Sequence, residues 1–287
     1  MKKNNFKIGD GKGKDTLPPV STPVDIGPNA PLFIMAGPCV IESEQLCLDI
    51  AQQLTEISVR TNIPIIFKAS FDKANRTSIK SFRGPGIQKG LEILANIRQK
   101  FDIPVMTDIH EPHQADPAAK VVDCIQIPAF LSRQTDLLTA CARTGKPINA
   151  KKGQFLSPAE MKNVVDKLRD SGNDEIMLTE RGTFFGYNRL VNDMTAIEAM
   201  KQLGCPVIFD ATHSTQQPGA FGNASAGQRE MAPVLAKAAI AAGANGLFFE
   251  VHPNPEKAKC DAASMIPTDW LEDLITKCNQ IFQIVNK

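Results

Sequence analysis

Residues 32–57 read LFIMAGPCVIESEQLCLDIAQQLTEI, and this stretch contains the repeating unit of the chain. It begins with the apolar run LFIMAG (32–37), continues through a short segment that holds Cys39, and ends with apolar residues at helical spacing. Ser43 stands directly before the helical pattern and is a suitable N-cap, because its side-chain oxygen can accept a backbone N–H of the first turn. The stretch therefore predicts a strand that leads into a helix.

The same pattern recurs along the chain. Eight short apolar runs end in polar or charged residues: 32–37, 63–70, 103–110, 121–128, 147–153, 175–182, 206–213 and 246–253. Helical patterns separate them, and strands that alternate with helices pair in parallel through right-handed crossovers. Eight such units in about 250 residues predict a (β/α)8 barrel. A doubly wound parallel sheet is the alternative.

Two further helical patterns carry recognisable ends. The segment SPAEMKNVVDKL (157–168) offers Ser157 as cap and Pro158 at the first helical position. The segment MAPVLAKAAIAAGA (231–244) is apolar on nearly all faces, and Gly243 is the expected C-cap of this helix.

The domain organisation is expected to be simple. Residues 1–30 are polar, rich in Gly and Pro and without a clear period, so we expect an N-terminal arm or short hairpin. No linker divides the remainder, and we expect residues 31–287 to form a single catalytic barrel domain.

Composition argues against several classes of protein. The formal net charge is +1, which does not suggest binding to nucleic acid or to an anionic membrane. No apolar run approaches the roughly 18–20 residues of a membrane span, and the N-terminus lacks the apolar core of a secretory signal. The seven cysteines are odd in number and widely spaced, which argues against a disulfide framework and favours a reducing cytoplasm.

The barrel prediction indicates where chemistry belongs, because active sites of this fold lie at the C-terminal ends of the strands. The reactive residues at those positions are Cys39, Lys68, Asp108, Gln126, Lys151, Lys152, Glu180, Arg181, Asp210, His213, Glu250 and His252. A functional site is therefore expected within this ring.

Four residues of the barrel mouth form a sensible ligand set for a divalent metal. They are Cys39, His213, Glu250 and Asp261, and thiolate, imidazole and carboxylate all bind soft or borderline ions. No two of them lie in one short motif, so spacing leaves alternatives open. Cys39 could equally be a packed core thiol, a nucleophile or half of a disulfide. His213 could equally be a structural residue that forms hydrogen bonds.

Basic residues gather at the same strand ends. They are Lys68, Lys73, Arg76, Arg133, Lys151, Lys152 and Arg181. Crowded positive charges repel one another unless an anion lies between them, and Arg and Lys both suit phosphate and carboxylate. The pattern favours a multiply anionic ligand, although a solvated surface is the alternative for any single side chain.

Several longer motifs resemble one known family. They are AGPCVIES, FKASFDKANRTSIKSFRGPG, TDIHEP, IQIPAFLSRQTDLL, KKGQFLSP, LTERGTFFGYNRLVNDM, FDATHS and HPNPEKAKCDAAS, from about residue 32 to about residue 274. Together they resemble the 3-deoxy-D-manno-octulosonate-8-phosphate synthases. The related heptulosonate-7-phosphate synthases carry a K-P-R-[ST] segment where this chain reads KANRTS (73–78). That difference favours arabinose 5-phosphate over erythrose 4-phosphate as the sugar.

The resemblance implies a (β/α)8 barrel, usually a homotetramer. It implies a transferase that condenses phosphoenolpyruvate with D-arabinose 5-phosphate and water, releasing inorganic phosphate, for lipopolysaccharide biosynthesis in the cytoplasm. Metal-dependent members carry Cys where this chain has Cys39, whereas metal-independent members carry Asn. The resemblance therefore implies a divalent ion, iron(II), zinc, manganese or cobalt, held by Cys39, His213, Glu250 and Asp261.

The resemblance also implies roles for other residues. Catalytic roles fall to Lys68, Lys73, Asp108, Lys151 and His213. Lys68, Lys73, Lys151 and Arg181 are expected to hold phosphoenolpyruvate in a pocket lined by Ala129 and Phe130. Asn75, Arg76 and Thr77 are expected to hold arabinose 5-phosphate. Arg133, and with it Gln126, is expected to reach a neighbouring subunit's site. Asp108 is expected to contact sugar hydroxyls or carry a proton, with a salt bridge to a lysine of the ring as the alternative.

Other functions stay open at this stage. The alternatives are a synthase for erythrose 4-phosphate or an amino sugar, an aldolase that forms a Schiff base through Lys68 or Lys151, and a non-catalytic protein that binds a metal or a sugar phosphate. The polar segment 213–230 is readable either as a lid over the site or as a surface loop.

Overall fold

The computed structural model describes residues 5–12, 17–20, 22–76, 78–184, 187–218 and 226–286. Thr77 and residues 219–225 of the candidate lid segment lie outside these described ranges. Within the described part of the chain, no helix has the length and apolar character needed to cross a membrane.

Eight short strands, buried along their whole length, form the centre of the molecule. They are β1 (Phe33–Gly37), β2 (Ile65–Lys68), β3 (Val105–Asp108), β4 (Cys124–Ile127), β5 (Ile148–Lys151), β6 (Ile176–Glu180), β7 (Val207–Asp210) and β8 (Gly246–His252). Each lies inside one of the eight apolar runs, so the predicted strands are confirmed. The polar residues at the ends of the runs continue into loops.

The eight strands close into a barrel. Each pairs in parallel with its neighbour, and β8 pairs with both β7 and β1. Closure leaves no open edge, which confirms the (β/α)8 barrel and excludes the doubly wound sheet. In the closing pair Glu250 lies opposite Gly37, so the end of β8 is level with the end of β1.

One helix follows each strand. The helices are α1 (Glu44–Thr61), α2 (Ile87–Phe101), α3 (Ala115–Ala119), α4 (Thr135–Arg143), α5 (Met161–Asp170), α6 (Thr195–Lys201), α7 (Ala232–Ala241) and α8 (Leu271–Val285). Ser43 caps α1 as predicted, since its Oγ accepts the N–H of Leu46 at 3.2 Å. The chain leaves α7 through Gly243, which adopts a φ of 93° that favours glycine.

The predicted start of α5 is wrong. The helix begins at Met161 rather than directly after Ser157. The Ser157 side chain donates to the carboxylate of Glu160 at 2.9 Å instead of accepting a helical N–H, and its own N–H binds the same carboxylate. Residues 157–160 therefore form a turn that precedes the helix.

The core has two layers that follow from the alternation of side chains along each strand. Ile34 and Ala36 of β1 point outward to the helices, whereas Phe33 and Met35 point into the barrel. Other apolar side chains of the barrel interior are Ile66, Met106, Cys124, Met177, Ile208 and Phe248.

Short strands outside the barrel complete the architecture. An N-terminal hairpin pairs Phe6–Ile8 with Val24–Ile26, and its four apolar side chains join the barrel-interior cluster. Antiparallel pairs also form between Thr183–Phe184 and Leu190–Val191 and between Gln216–Gln217 and Ala226–Gly227, in the loops after β6 and β7. The division of the chain at residue 30 stays a prediction.

Candidate active site

The C-terminal ends of the barrel strands bring charged side chains to one mouth. The last residues of β2, β3, β5, β6 and β7 are Lys68, Asp108, Lys151, Glu180 and Asp210. All five are buried. Parallel pairing places these ends at the same face of the barrel, where a strand-end site is expected.

Cys39 reaches this mouth because the chain stays close to β2 after β1 ends. Gly37 has no room for a side chain, since a Cβ atom there would lie 2.0 Å from the carbonyl oxygen of Lys68. Val40 then forms a parallel bridge with Ser70. These contacts hold the Cys39 thiol beside the mouth, where it is buried.

The four residues expected to bind metal lie together. The Sγ of Cys39 donates to Oδ2 of Asp261 at 3.2 Å. The Nε2 atom of His213 lies 3.5 Å from Oε1 of Glu250 and 3.9 Å from Oδ2 of Asp261. One donor atom each from His213, Glu250 and Asp261 lies within 4.8 Å of the others, which is a spacing that one ion can bridge.

Glu250 carries the strongest sign that a cation belongs here. Its side chain is 1% exposed, and neither carboxylate oxygen has a hydrogen-bond partner among the described residues. Burying a carboxylate without hydrogen bonds is costly, because the charge loses its hydration. Its one cationic neighbour among the described ion pairs is Lys73, whose Nζ lies 3.6 Å from Oε1, and the His213 ring also faces it. The donor set of thiol, imidazole and two carboxylates therefore fits a divalent ion.

Asp210 orients His213 toward this cluster. Its Oδ2 lies 2.7 Å from Nδ1 of His213 and accepts a second hydrogen bond from Nζ of Lys151 at 2.7 Å. A proton on Nδ1 leaves the lone pair of Nε2 free to face Glu250 and Asp261, as in the carboxylate–histidine pairs behind many metal ligands. Burial would raise the pKa of Asp210, but His213 and Lys151 outweigh it and lower that pKa.

The remaining ionisable groups of the cluster have strongly shifted pKa values. Burial raises the pKa of the Cys39 thiol well above its ordinary value. Burial also opposes ionisation of Asp261, yet His213 and Lys73 lower the pKa of that carboxyl group. For Lys73 burial acts to lower the pKa, but the acidic groups that face it raise the pKa overall. Lys73 therefore keeps its positive charge at neutral pH.

A second network joins β2 and β3. The Lys68 Nζ lies 2.8 Å from Ser70 Oγ and 3.2 Å from Asp108 Oδ1, and Ser70 donates to the same carboxylate. The Nε2 atom of His110 lies 3.2 Å from Asp108 Oδ2. Burial acts to raise the pKa of Asp108, but Lys68 and His110 outweigh this effect and hold that pKa well below its usual range. The salt bridge considered for Asp108 is thus present, and it joins a lysine at the barrel mouth.

Lys151 and Arg181 are cations held at the mouth. Burial lowers the pKa of Lys151 despite its contact with Asp210, and its Nζ lies 4.0 Å from the centre of the Phe248 ring. Arg181 donates to Oε1 of Gln216 at 2.9 Å, while its second terminal nitrogen is buried without a hydrogen-bond partner. Gln216 in turn donates to Asp261 at 2.9 Å, so this amide links the cationic groups to the candidate metal site.

Lys152 does not belong to the site, although it is adjacent to Lys151. It is fully buried, and its Nζ contacts Thr183 Oγ1 at 3.1 Å and Glu180 at 3.5 Å. It also donates to two backbone carbonyl groups of the loop after β5. Its charge therefore stabilises the loops after β5 and β6.

Gln126 lies inside the barrel, where its amide donates to Asn149 at 2.8 Å. It is buried on β4, and its expected role at a neighbouring subunit's site stays a prediction. Arg133 is exposed and lines a surface cavity of about 390 Å³ beside α5. No described contact joins Arg133 to the strand-end network.

The residues expected to bind sugar and pyruvate lie in loops. Arg76 donates to Cys260 Sγ at 2.7 Å, which places its guanidinium beside the metal cluster. Asn75 is exposed on the same loop. Ala129 and Phe130 follow β4; Ala129 is buried, whereas Phe130 is 51% exposed.

Sequence reasoning assigned no role to several residues that the structure places in these networks. They are Ser70, His110, Asp210, Gln216 and Cys260. Asp210 ends β7 and His110 follows β3, so the positions of both residues at strand ends were visible in the sequence. Gln216 and Cys260 lie in loops, and no spacing rule indicated that Gln216 contacts Asp261 or that Cys260 contacts Arg76.

Comparisons with known proteins identify the family of this chain. The sequence profile of the DAHP synthetase I family matches residues 7–287. A relative from Desulfotalea psychrophila is 55% identical over 259 residues, which cover 90% of this chain and 92% of the relative. A relative from Francisella tularensis subsp. holarctica is 48% identical over 285 residues, which cover 99% of this chain and 97% of the relative.

A third relative, from Protochlamydia amoebophila, is 52% identical over 262 residues, or 91% of this chain and 95% of the relative. All three relatives bear the name 2-dehydro-3-deoxyphosphooctonate aldolase. Identity at this level over nearly the whole length confirms the resemblance seen in the motifs. The chain therefore belongs to the DAHP synthetase I family, and within it to the group whose curated members are named 2-dehydro-3-deoxyphosphooctonate aldolase.

Proposed function

We propose that this chain condenses phosphoenolpyruvate with D-arabinose 5-phosphate and water at its strand-end site. The products are 3-deoxy-D-manno-octulosonate 8-phosphate and inorganic phosphate, and the enzyme is a transferase. The observation that carries the proposal is the barrel mouth, where buried cations lie near a thiol and near a buried carboxylate that has no hydrogen-bond partner among the described residues. Such a site suits two multiply anionic substrates and one divalent ion.

Phosphoenolpyruvate binds to the lysines deepest in the mouth. Lys68, Lys73, Lys151 and Arg181 supply positive charge on several sides of one space, and Arg181 has a buried nitrogen free for an anionic oxygen. Ala129 and Phe130 line the apolar side. Asn75 and Arg76 belong to the loop after β2 and hold the arabinose chain and its phosphate, together with Thr77, the next residue in the sequence.

A divalent ion is held by Cys39, His213, Glu250 and Asp261. Iron(II), zinc, manganese and cobalt all accept this mixed donor set, with different preferences. When bound, such an ion supplies Lewis-acid chemistry, either by polarising a sugar oxygen or by making a bound water more acidic. Asp210 supports the site by fixing the orientation of His213.

The protein side chains organise carbon–carbon bond formation. The vinyl carbon of phosphoenolpyruvate attacks the sugar aldehyde, whose oxygen becomes an alkoxide and takes up a proton. Positive charge preorganised near that oxygen, from Lys73 above all, lowers the barrier. Asp108, tied to Lys68 and His110, orients sugar hydroxyl groups or carries the proton. Water adds to the adjacent carbon, and phosphate then leaves with cleavage of its C–O bond.

The assembly is a homotetramer in the cytoplasm, and Arg133 reaches the site of a neighbouring subunit. Its exposure and its distance from the strand-end network in one chain support a role outside its own subunit. Several large apolar side chains are also exposed in the loops after β4, β5 and β6, among them Phe130, Phe155 and Tyr187. Exposed apolar surface of this kind favours association.

Phosphate release tests the reaction. The full chain is incubated with phosphoenolpyruvate and either arabinose 5-phosphate, erythrose 4-phosphate or an amino sugar, before and after exhaustive chelation. Of the three sugars, we expect only arabinose 5-phosphate to support phosphate release from phosphoenolpyruvate. We expect this activity to be lost on chelation and to return when manganese is added. Preference for another sugar would contradict the substrate, and activity that survives verified metal removal would contradict the metal site.

A Schiff-base aldolase is the second candidate, because the lowered pKa of Lys151 is typical of lysines that attack carbonyl groups. Borohydride reduction in the presence of substrate separates the two. We expect no adduct on Lys151 or Lys68 by mass spectrometry, since the lysines bind anions. A trapped adduct would favour the aldolase.

A further inference from the structure

Two of the seven thiols share one carboxylate oxygen. The Sγ atoms of Cys39 and Cys260 donate to Oδ2 of Asp261 at 3.2 Å and 3.4 Å. One donor atom each from Cys39, Cys260 and Asp261 lies within 4.8 Å of the others, so one ion can bridge all three. The other five cysteines are buried in the two apolar clusters of the barrel core.

We propose that Cys260 is a further ligand of the divalent ion, so that this chain binds its metal through two thiolates rather than one. The inference rests on the metal site of the proposed function and extends it by one residue. Asp261 belongs to two groups of possible ligands, one with Cys39 and Cys260 and one with His213 and Glu250. The inference places the ion beside Asp261, where the two groups overlap.

The backbone brings two consecutive side chains to the same point. Asp261 has a φ of 48°, a left-handed conformation that few residues other than glycine adopt and that Asp tolerates better than most. The side chains of Cys260 and Asp261 meet within 3.4 Å. Such conformations cost free energy and persist where the surrounding structure requires them, commonly at ligand sites.

Glu250 provides an independent sign that an ion lies in this region. Its carboxylate is buried without a hydrogen-bond partner in the described structure and faces His213, which in turn faces Asp261. The carboxylate of Asp261 thus belongs both to the group with the two thiols and to the group with Glu250 and His213. An ion near Asp261 satisfies both groups.

The surroundings of Cys260 also suit an anionic sulfur. Arg76 lies 2.7 Å from Cys260 Sγ, and a guanidinium has only donors, so the sulfur acts as the acceptor. On binding a cation, the thiolate would exchange this contact for a metal bond. The Arg76 guanidinium would then be available for the sugar phosphate that we assign to it.

A second thiolate changes which metals bind best. Thiolates favour zinc and cadmium, whereas manganese prefers oxygen ligands. We therefore expect the ratio of zinc to manganese affinity to fall by at least about tenfold in Cys260→Ser, since loss of even an outer-shell partner costs about 10–100-fold in metal affinity.

X-ray absorption at the zinc edge counts the sulfur ligands directly. The metal-free full chain is loaded with one equivalent of zinc. We expect two sulfur neighbours at about 2.3 Å in the parent chain, one in Cys260→Ser and one in Cys39→Ser. Cys205→Ser is the matched control, because Cys205 is buried beside Arg169 before β7, and it should keep two.

The outcomes separate this inference from the proposed function. One sulfur neighbour in the parent chain, lost in Cys39→Ser and retained in Cys260→Ser, would overturn the role of Cys260 and leave the proposed metal site intact. Absence of bound zinc would overturn both. The parent chain alone decides the sulfur count, so the test stands even if a variant fails to fold. Phosphate release measured in parallel reports the reaction itself.

Discussion

Lys151 shows how burial sets the charge of a single side chain. Its Nζ contacts Asp210 and the face of Phe248, and burial lowers its pKa below the ordinary lysine value of 10.5. Lys151 must be protonated to bind an anion. We therefore expect kcat/KM for phosphoenolpyruvate to fall as the pH rises through this lowered pKa, before ordinary lysines titrate, because kcat/KM reports the free enzyme.

Two variants check the assignment to Lys151. Lys151→Arg keeps its charge to higher pH and should move the alkaline limb of the pH profile upward. Lys151→Ala should lose on the order of a hundredfold to a thousandfold in kcat/KM, as for the loss of one preorganised charge contact. An alkaline limb that stays in place in Lys151→Arg would mean that another group titrates there. Lys73 is not that group, because its pKa is raised.

Asp210 tests whether the metal ligands depend on a supporting carboxylate. Replacing it by Asn removes the anionic acceptor at Nδ1 of His213, so the imidazole loses its fixed orientation. We expect Asp210→Asn to bind manganese about 10–100-fold more weakly, measured by equilibrium dialysis on folded protein. Asp166→Asn is the control, since Asp166 forms only an exposed pair with Lys162 within α5. Unchanged manganese affinity in Asp210→Asn would contradict the supporting role.

At the scale of elements, the N-terminal hairpin contributes to the barrel core. Ile8 and Ile26 are buried with the interior side chains of the barrel strands. Lys7, which precedes Ile8 on the same strand, is exposed and pairs with Asp25 on the opposite strand. We expect Ile8→Ala and Ile26→Ala each to lower the free energy of unfolding by about 2–5 kcal/mol. Lys7→Ala should change it by no more than about 0.5 kcal/mol.

Denaturant unfolding of the three hairpin variants provides the measurement. An isoleucine variant as stable as Lys7→Ala would show that the hairpin is peripheral to the fold. Loss of stability with unchanged KM for both substrates would separate the hairpin from the strand-end site, which lies at the C-terminal ends of the strands.

The elements also show what sequence can and cannot predict. The eight strands were predictable, because each is a short apolar run flanked by polar residues. The start of α5 was not predictable. Ser157 and Pro158 are typical of a helix start, but Ser157 donates two hydrogen bonds to the Glu160 carboxylate, and residues 157–160 form a turn instead. The position of Cys260 beside Cys39 was also not predictable, because the two thiols lie far apart in sequence and only barrel closure brings them together.

At the scale of the whole molecule, closure of the barrel and association of subunits both bear on the site. Closure pairs β8 with β1 and brings Glu250 level with the residues before Cys39. Association is proposed to add Arg133 from a neighbour. For a homotetramer we expect light scattering to give four times the 31.2 kDa of one chain. A monomer that turns over at the full rate would contradict that role for Arg133.

Mixed oligomers test whether Arg133 acts between subunits. Arg133→Ala should weaken arabinose 5-phosphate binding about tenfold to a hundredfold, as expected for a lost charge-assisted hydrogen bond of about 1.5–3 kcal/mol. Lys151→Ala should inactivate its own subunit. Co-expressed, the two variants should recover activity at low sugar phosphate, because a subunit with Lys151 intact then receives Arg133 from a Lys151→Ala neighbour. If Arg133 acted within its own subunit, every site of the mixture would lack one of the two groups, and mixing would restore nothing.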